Sequence, residues 1–228
     1  MNNQVSVSSG SSFIKPGGVH RPKWLCSLAR QNVGLVRDAS PSMAGQKAVD
    51  ASAACLALIR EAANPANKDG FRITVVDFDG TACTVHTTEK ASVLADNAAP
   101  ICVRGSGTNI TAGLEMMFGL LEADAVATAD DEVTHLKPVV FCFTDGCHNV
   151  GRQPYDIANR MKQKVDLVTV AFGDDADETL MRALASTPQH FYRCADGSEL
   201  RQFLAKAGAT LSATLAARVN ATNALAHH

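Results

Sequence analysis

The sequence predicts an α/β fold in which a mostly parallel central sheet lies between two layers of helices. Two observations carry that prediction. Short apolar runs of strand length alternate with longer stretches of helical periodicity. The runs at 33–37 and 137–143 are apolar at nearly every position, as strands covered on both faces must be. In such sheets the ligand crevice lies outside the carboxyl ends of the strands, so the residues that end those runs become the candidates for function.

Residues 1–20 are rich in Ser, Asn and Gly and read as an arm, broken at Pro16-Gly-Gly18, with a short element expected over 24–29. The first strand follows at 33–37. Ala48, Ala51, Cys55, Leu58, Ile59 and Ala62 then recur at three- and four-residue spacing, which predicts a helix over 44–63 ended by Asn64-Pro65. A strand over 71–78 and a β-prone partner over 81–86 read as an edge hairpin. A short helix is expected over 89–97, then a glycine loop at 104–109 that opens a helix over 110–123. A polar excursion at 125–135 leads to the strand at 137–143, with Asp130-Asp-Glu132 expected in a solvated loop. Helices over 154–163 and 177–185 alternate with strands over 166–172 and 190–193, and a last helix, capped by Asp196 or Ser198, runs to about 217. The expected organisation is an arm over 1–30, one folded domain over 31–218 and a tail over 219–228.

Composition narrows the function classes. The hydrophobic fraction of 46% suffices for a core, and a formal net charge of −2 gives no global attraction to nucleic acid or to an anionic membrane. No apolar run reaches the roughly 18 residues that a membrane-spanning helix requires. Met1 to Gly18 has no apolar leader, which leads us to expect a cytoplasmic protein. The 7 cysteines are scattered without Cys-x-x-Cys spacing, which argues against a zinc cluster and for buried reduced thiols.

The chemistry concentrates at three strand ends. Asp38, Ser40 and Ser42 place a carboxylate and two hydroxyls at alternate positions of one turn. Thr108 lies in the loop Arg104-Gly-Ser-Gly-Thr-Asn109, where Gly105 and Gly107 would permit close approach to a bound ion. Asp145 ends the strand at 137–143 in Thr144-Asp145-Gly146. Two carboxylates and three hydroxyls form a hard oxygen set suited to Mg²⁺ or Mn²⁺.

Asp38-Ala-Ser-Pro-Ser-Met43, Gly107-Thr-Asn-Ile110 and Phe143-Thr-Asp-Gly146 resemble the three parts of the metal-ion-dependent adhesion site (MIDAS) of von Willebrand factor A domains. The resemblance spans roughly 30–207 and includes Val168-Thr-Val-Ala-Phe-Gly173. It implies a Rossmann-like three-layer αβα fold whose mostly parallel sheet has one antiparallel edge strand. It also implies that Asp38, Ser40, Ser42, Thr108 and Asp145 hold one Mg²⁺ or Mn²⁺, directly or through water. The module would bind a protein partner whose Asp or Glu completes the coordination. It would not be an enzyme, would bind neither nucleic acid nor membrane, and would act as a monomer or within a hetero-complex. The closing helix, 198–217, would be its candidate switch element.

Two residues depart from the family pattern. Pro41 stands where the family has Gly, which stiffens the turn and biases Ser40 toward extended backbone. Arg37 stands where the family is apolar. A buried guanidinium needs a partner, and Asp77, Asp145 and the rim are the alternatives. A rival reading rests on Val75-Val-Asp-Phe-Asp-Gly-Thr81, which is similar to the nucleophile loop of haloacid-dehalogenase-type phosphatases. It would make Asp77 the nucleophile and Asp79 the acid/base, with Thr144, Lys162 or Lys164 and the acidic 174–177 run as accessories. In the adhesion-domain register, 77–81 is a strand end and a hairpin turn. His148 is expected as a solvated loop residue, and the Asp174, Asp175, Asp177 and Glu178 cluster as helix capping.

Overall fold

The computed structural model of the protein describes residues 28–129 and 131–226. The arm and the short element expected before residue 28 lie outside the described residues. Strand β1 (Ala29–Asp38) is followed by one turn of 3-10 helix (Pro41–Met43) and by α1 (Gln46–Ala62). Next come β2 (Phe71–Phe78), β3 (Ala82–Lys90), α2 (Ala91–Asn97), α3 (Ile110–Ala127) and β4 (Thr134–Thr144). The chain closes with α4 (Tyr155–Lys162), β5 (Asp166–Phe172), α5 (Glu178–Leu184), β6 (Phe191–Cys194), α6 (Gly197–Ala217) and α7 (Thr222–Leu225).

The strands form one sheet in the order β3-β2-β1-β4-β5-β6. Every neighbouring pair is parallel except the β2–β3 hairpin, so the antiparallel strand sits on an edge. The period-two alternation of a strand divides the core into two layers. Val33, Leu35, Val139, Phe141, Val168 and Val170 face one apolar cluster, built with α1 and α6. Val36, Val76, Val140, Cys142 and Leu167 face the other, built with α3, α4 and α5. The strand order reverses between β1 and β4, and this switch point brings the ends of those two strands side by side.

Differences from the sequence expectations lie at element ends. β1 begins at Ala29, where Thr134 N donates to Leu28 O at 3.1 Å and starts the β1–β4 ladder early. β3 runs on to Lys90, because its outer face can be polar on an edge. The excursion expected at 125–135 is shortened by α3, which continues to Ala127. Asp131 of that excursion is not simply solvated. It pairs with Arg30 at 2.9 Å and His135 at 2.6 Å. The stretch after 218 carries α7, whose Leu225 is buried and packed with the α1–α6 layer. Of the described cysteines, Cys55, Cys142 and Cys194 are buried free thiols, Cys83 is partly buried, and Cys102 and Cys147 are exposed against expectation.

Candidate metal centre

Asp38 is the last residue of β1, and its register places it beside Phe78 of β2. Ala39 N donates to Phe78 O at 2.7 Å, which fixes the exit of the chain from the sheet. Ser40 has φ −69° and ψ 163°, the extended conformation that a following proline imposes. Pro41 opens the 3-10 turn, where its missing N–H is no loss. Met43 N donates to Ser40 O at 3.0 Å and Ala44 N to Pro41 O at 3.1 Å. The proline therefore suits this turn, and the stiffness expected from it serves to hold Ser40 and Ser42 on one side. Gly45, at φ 78°, then turns the chain into α1.

The second piece is the loop before α3. Arg104 N donates to Ala39 O at 2.9 Å and Asn109 N to Asp79 O at 2.7 Å, which lash the loop to the ends of β1 and β2. Thr108 is buried, its amide bonded to Asn149 Oδ1 at 2.8 Å, while Asn149 N returns a bond to Thr108 O at 3.1 Å. Asn109 caps α3 by accepting from Ala112 N at 3.1 Å. Gly105 and Gly107 have positive φ of 65° and 112°. A Cβ at Gly105 would strike the Asp79 carboxylate, and one at Gly107 would strike Val150 and Asn149. These glycines thus permit a close approach of the loop backbone to the Asp79, Asn149 and Val150 side chains.

The third piece, Asp145, follows β4. Ser42 Oγ donates to its Oδ1 at 2.7 Å, and Ser40 Oγ lies 3.0 Å from Ser42 Oγ. Ser40 N donates to Asp38 Oδ1 at 2.8 Å, and the Thr144 hydroxyl donates to Asp38 Oδ2. A Cβ placed on Gly146 would lie 3.4 Å from Ser42 Oγ and 3.8 Å from Thr108 Oγ1, so the Thr108 hydroxyl flanks the same place beside Gly146 as the Ser42 hydroxyl. The structure thus brings all five sequence-predicted residues together. Asp38 and Asp145 are fully buried. Burial pushes the Asp38 carboxyl above its ordinary range, the Thr144 and Ser40 hydrogen bonds oppose this, and the Asp145 charge adds to it.

The von Willebrand factor type A domain model matches residues 32–206. The chain belongs to this family. Comparison with curated proteins found no match. Among solved structures, the VWA domain is similar to proximal thread matrix protein 1 of the mussel byssus, with TM-score 0.64 and 19% identity over 81% of this chain and 48% of that one. Another structure of that protein, described as having a zinc-occupied MIDAS motif, aligns with TM-score 0.61 and 20% identity over 81% of this chain and 46% of that one. The pilus adhesin SpaC of Lactobacillus rhamnosus GG aligns in its open conformation with TM-score 0.67 and 12% identity over 83% of this chain and 31% of that one. The chain thus spans about half, or less, of these proteins' lengths. At such identities these likenesses speak for the fold.

The donor set of the VWA domain fits a hard divalent cation. It is all oxygen and carries two buried carboxylates, and a cation, the Lys47 ammonium, already stands 2.6 Å from Asp145 Oδ2. The sequence reading missed Lys47, Thr144 in its role on Asp38, and Asn149 as the clamp on Thr108. Only Lys47 left a local signal, a basic residue in the first turn of a helix, where cations are disfavoured.

The remaining candidates of the VWA domain resolve into structural roles. Arg37 takes the first of its three alternatives: Nε and Nη2 donate to Asp77 at 2.6 and 3.1 Å, and Nη1 donates to Ala99 O at 2.9 Å. Asp77 is thereby engaged through both oxygens. Asp79 Oδ1 accepts from Thr81 N at 2.6 Å and from its hydroxyl at 2.9 Å, while Oδ2 faces Arg104 at 3.2 Å. Asp77, the nucleophile of the phosphatase reading, thus has both carboxylate oxygens committed to Arg37. His148 is half-buried, not solvated, and its Nδ1 accepts from Ile110 N at 3.2 Å at the start of α3. Burial lowers its pKa, consistent with a neutral acceptor ring. Asp177 caps α5 through Leu180 N at 2.9 Å, and Asp174 and Glu178 pair with Arg193 at 2.8 and 2.7 Å.

Proposed function

We propose that this VWA domain is a metal-dependent protein-interaction module and not an enzyme. Asp38, Ser40, Ser42, Thr108 and Asp145 would hold one Mg²⁺ or Mn²⁺, directly or through water. The observation that carries the reading is the convergence of these five oxygen side chains, from three separate loops, at the carboxyl end of the sheet. An oxygen-only set favours Mg²⁺ or Mn²⁺ over a metal that seeks sulfur or imidazole, although one structural neighbour is described with zinc at this motif. Once bound, the ion would offer an open coordination position to an Asp or Glu of a protein partner.

The chain's own residues prepare that event. Thr144 and the Ser40 amide orient Asp38, Asn149 fixes Thr108, and the Pro41 turn holds the two serines together. The ligands therefore lose little conformational freedom on binding. Monomeric or hetero-complex action and a cytoplasmic location belong to the same proposal. Among the described residues no helix is long and apolar enough to cross a membrane.

The test is an affinity pull-down with the purified chain in Mg²⁺ and in EDTA, run beside Asp38→Ala, with calorimetric titration of MgCl₂ and MnCl₂. Binding of either ion and capture of a partner should both vanish in Asp38→Ala, and the partner should be released by EDTA. A partner retained in EDTA would reject metal bridging.

A further inference from the structure

We propose that Lys47 is a built-in counter-cation of this site, which neutralises Asp145 in the ion-free protein and must be displaced before a divalent cation binds. The proposal rests on the metal reading above and adds the residue that sets its affinity.

Both oxygens of Asp145 are taken. Lys47 Nζ donates to Oδ2 at 2.6 Å and Ser42 Oγ to Oδ1 at 2.7 Å. The same pattern recurs at the opposite end of the sheet. There Lys137 Nζ donates to one oxygen of buried Asp166 at 2.6 Å and the Thr222 hydroxyl to the other at 2.5 Å. One ammonium and one hydroxyl thus suffice to satisfy a buried carboxylate in this fold, and Asp145 has its counter-charge, while Asp38 beside it is held by hydrogen bonds from Ser40 N and the Thr144 hydroxyl. A divalent cation taking Asp145 as a ligand meets a positive charge within hydrogen-bond reach of the same carboxylate.

Local structure does not otherwise favour Lys47 at this place. It is the second residue of α1, whose first turn holds no acidic residue, and the positive end of a helix repels an ammonium. Asp145 offsets that cost. The two partners also differ in freedom. The Asp145 side chain is fully buried, whereas that of Lys47 is 36% exposed on a flexible four-carbon stem. The ammonium is the member of the pair that can leave. It lies beside Gly173, where even an added Cβ would stay 3.9 Å from Nζ, so the backbone there leaves it room.

Calorimetric titration of MgCl₂ and MnCl₂ into the full chain, as wild type, Lys47→Met and Lys47→Arg, tests this. Lys47→Met should bind about tenfold tighter or more, which corresponds to about 1.4 kcal/mol, and Lys47→Arg should remain near wild type. Without divalent ions Lys47→Met should melt lower than wild type, because Asp145 has lost its counter-charge, and saturating Mn²⁺ should raise its Tm by more than it raises that of wild type. Unchanged or weaker binding in Lys47→Met would overturn the proposal, and weaker binding would make Lys47 a positioning residue for Asp145. Binding by none of the three forms would overturn the cation reading itself.

Discussion

Arg37 is the residue whose cost and purpose are most clearly separable. It is almost fully buried, and so is Asp77. Removing one member of such a pair strands the other charge in the core, which costs about 3–5 kcal/mol. Arg37→Leu should lose that much in urea denaturation, and Arg37→Leu with Asp77→Leu should recover most of it. Mn²⁺ affinity should stay close to wild type in both, because the guanidinium is committed to Asp77 and Ala99 O and makes no bond to Asp145. The sequence could name Arg37 as odd and Asp77 as one of its partners, but choosing between Asp77 and Asp145 needed the strand register, which pairs Arg37 with Asp77 across β1 and β2. The five oxygen residues were legible because each sits in a short local motif at a strand end. Lys47 was not, because its meaning comes from a carboxylate 98 positions away, and no local pattern encodes that distance.

At the scale of elements, α3 shows how packing fixes the position of a ligand. Gly113 lies one turn inside the helix that Thr108 precedes, and a Cβ there would come within 2.9 Å of Phe78 Cδ1 and 3.0 Å of Val36 Cγ1. The glycine lets α3 lie close on the sheet. Gly119 of the same helix has open space around it. Alanine is intrinsically favoured over glycine in a helix by about 1 kcal/mol, whereas overpacking costs about 1–3 kcal/mol. Gly119→Ala should therefore stabilise the protein by about 1 kcal/mol. Gly113→Ala should destabilise it by about 1 kcal/mol and weaken Mn²⁺ binding as α3 lifts away and carries Thr108 with it. Denaturant midpoints and Mn²⁺ titrations on the two variants check this, and equal effects would contradict it. The glycine loop at 104–109 marked where α3 opens, but which of its glycines touches the sheet depends on its rotation about its own axis, and its mixed apolar surface does not specify that.

The whole molecule separates stability from function along the strand direction. The candidate site occupies the carboxyl ends of β1 and β4. The C-terminal stretch ties down the opposite ends. Leu225 is buried, Thr222 bonds Asp166 at the start of β5, and Asn220 Oδ1 accepts from Lys137 N at 2.9 Å near the start of β4. His190 Nε2 lies 3.0 Å from Thr222 O, and the Tyr192 hydroxyl donates to Leu225 O. Such a small helix is hard to foresee, because four residues carry no helical period and its reason for forming is the groove it fills. Truncation after Arg218 would expose the Leu225 pocket, worth about 1.5–3 kcal/mol, and would strip hydrogen bonds from the buried groups of Asp166 and His190, at about 1–3 kcal/mol each. Some of those groups gain water instead, so a net loss of about 3–6 kcal/mol is expected. The strands β1, β4 and β5 that join the two ends pair in parallel, with one register shift between Gln31 and Val33, and the upper turns are held by Pro41, Asn149 and the Ala39–Phe78 bond, none of which involves the C-terminal stretch. The truncated protein should therefore melt well below wild type and, below its melting temperature, bind Mn²⁺ with unchanged affinity. A folded truncated protein that no longer binds the ion would show that the two ends of the sheet are coupled.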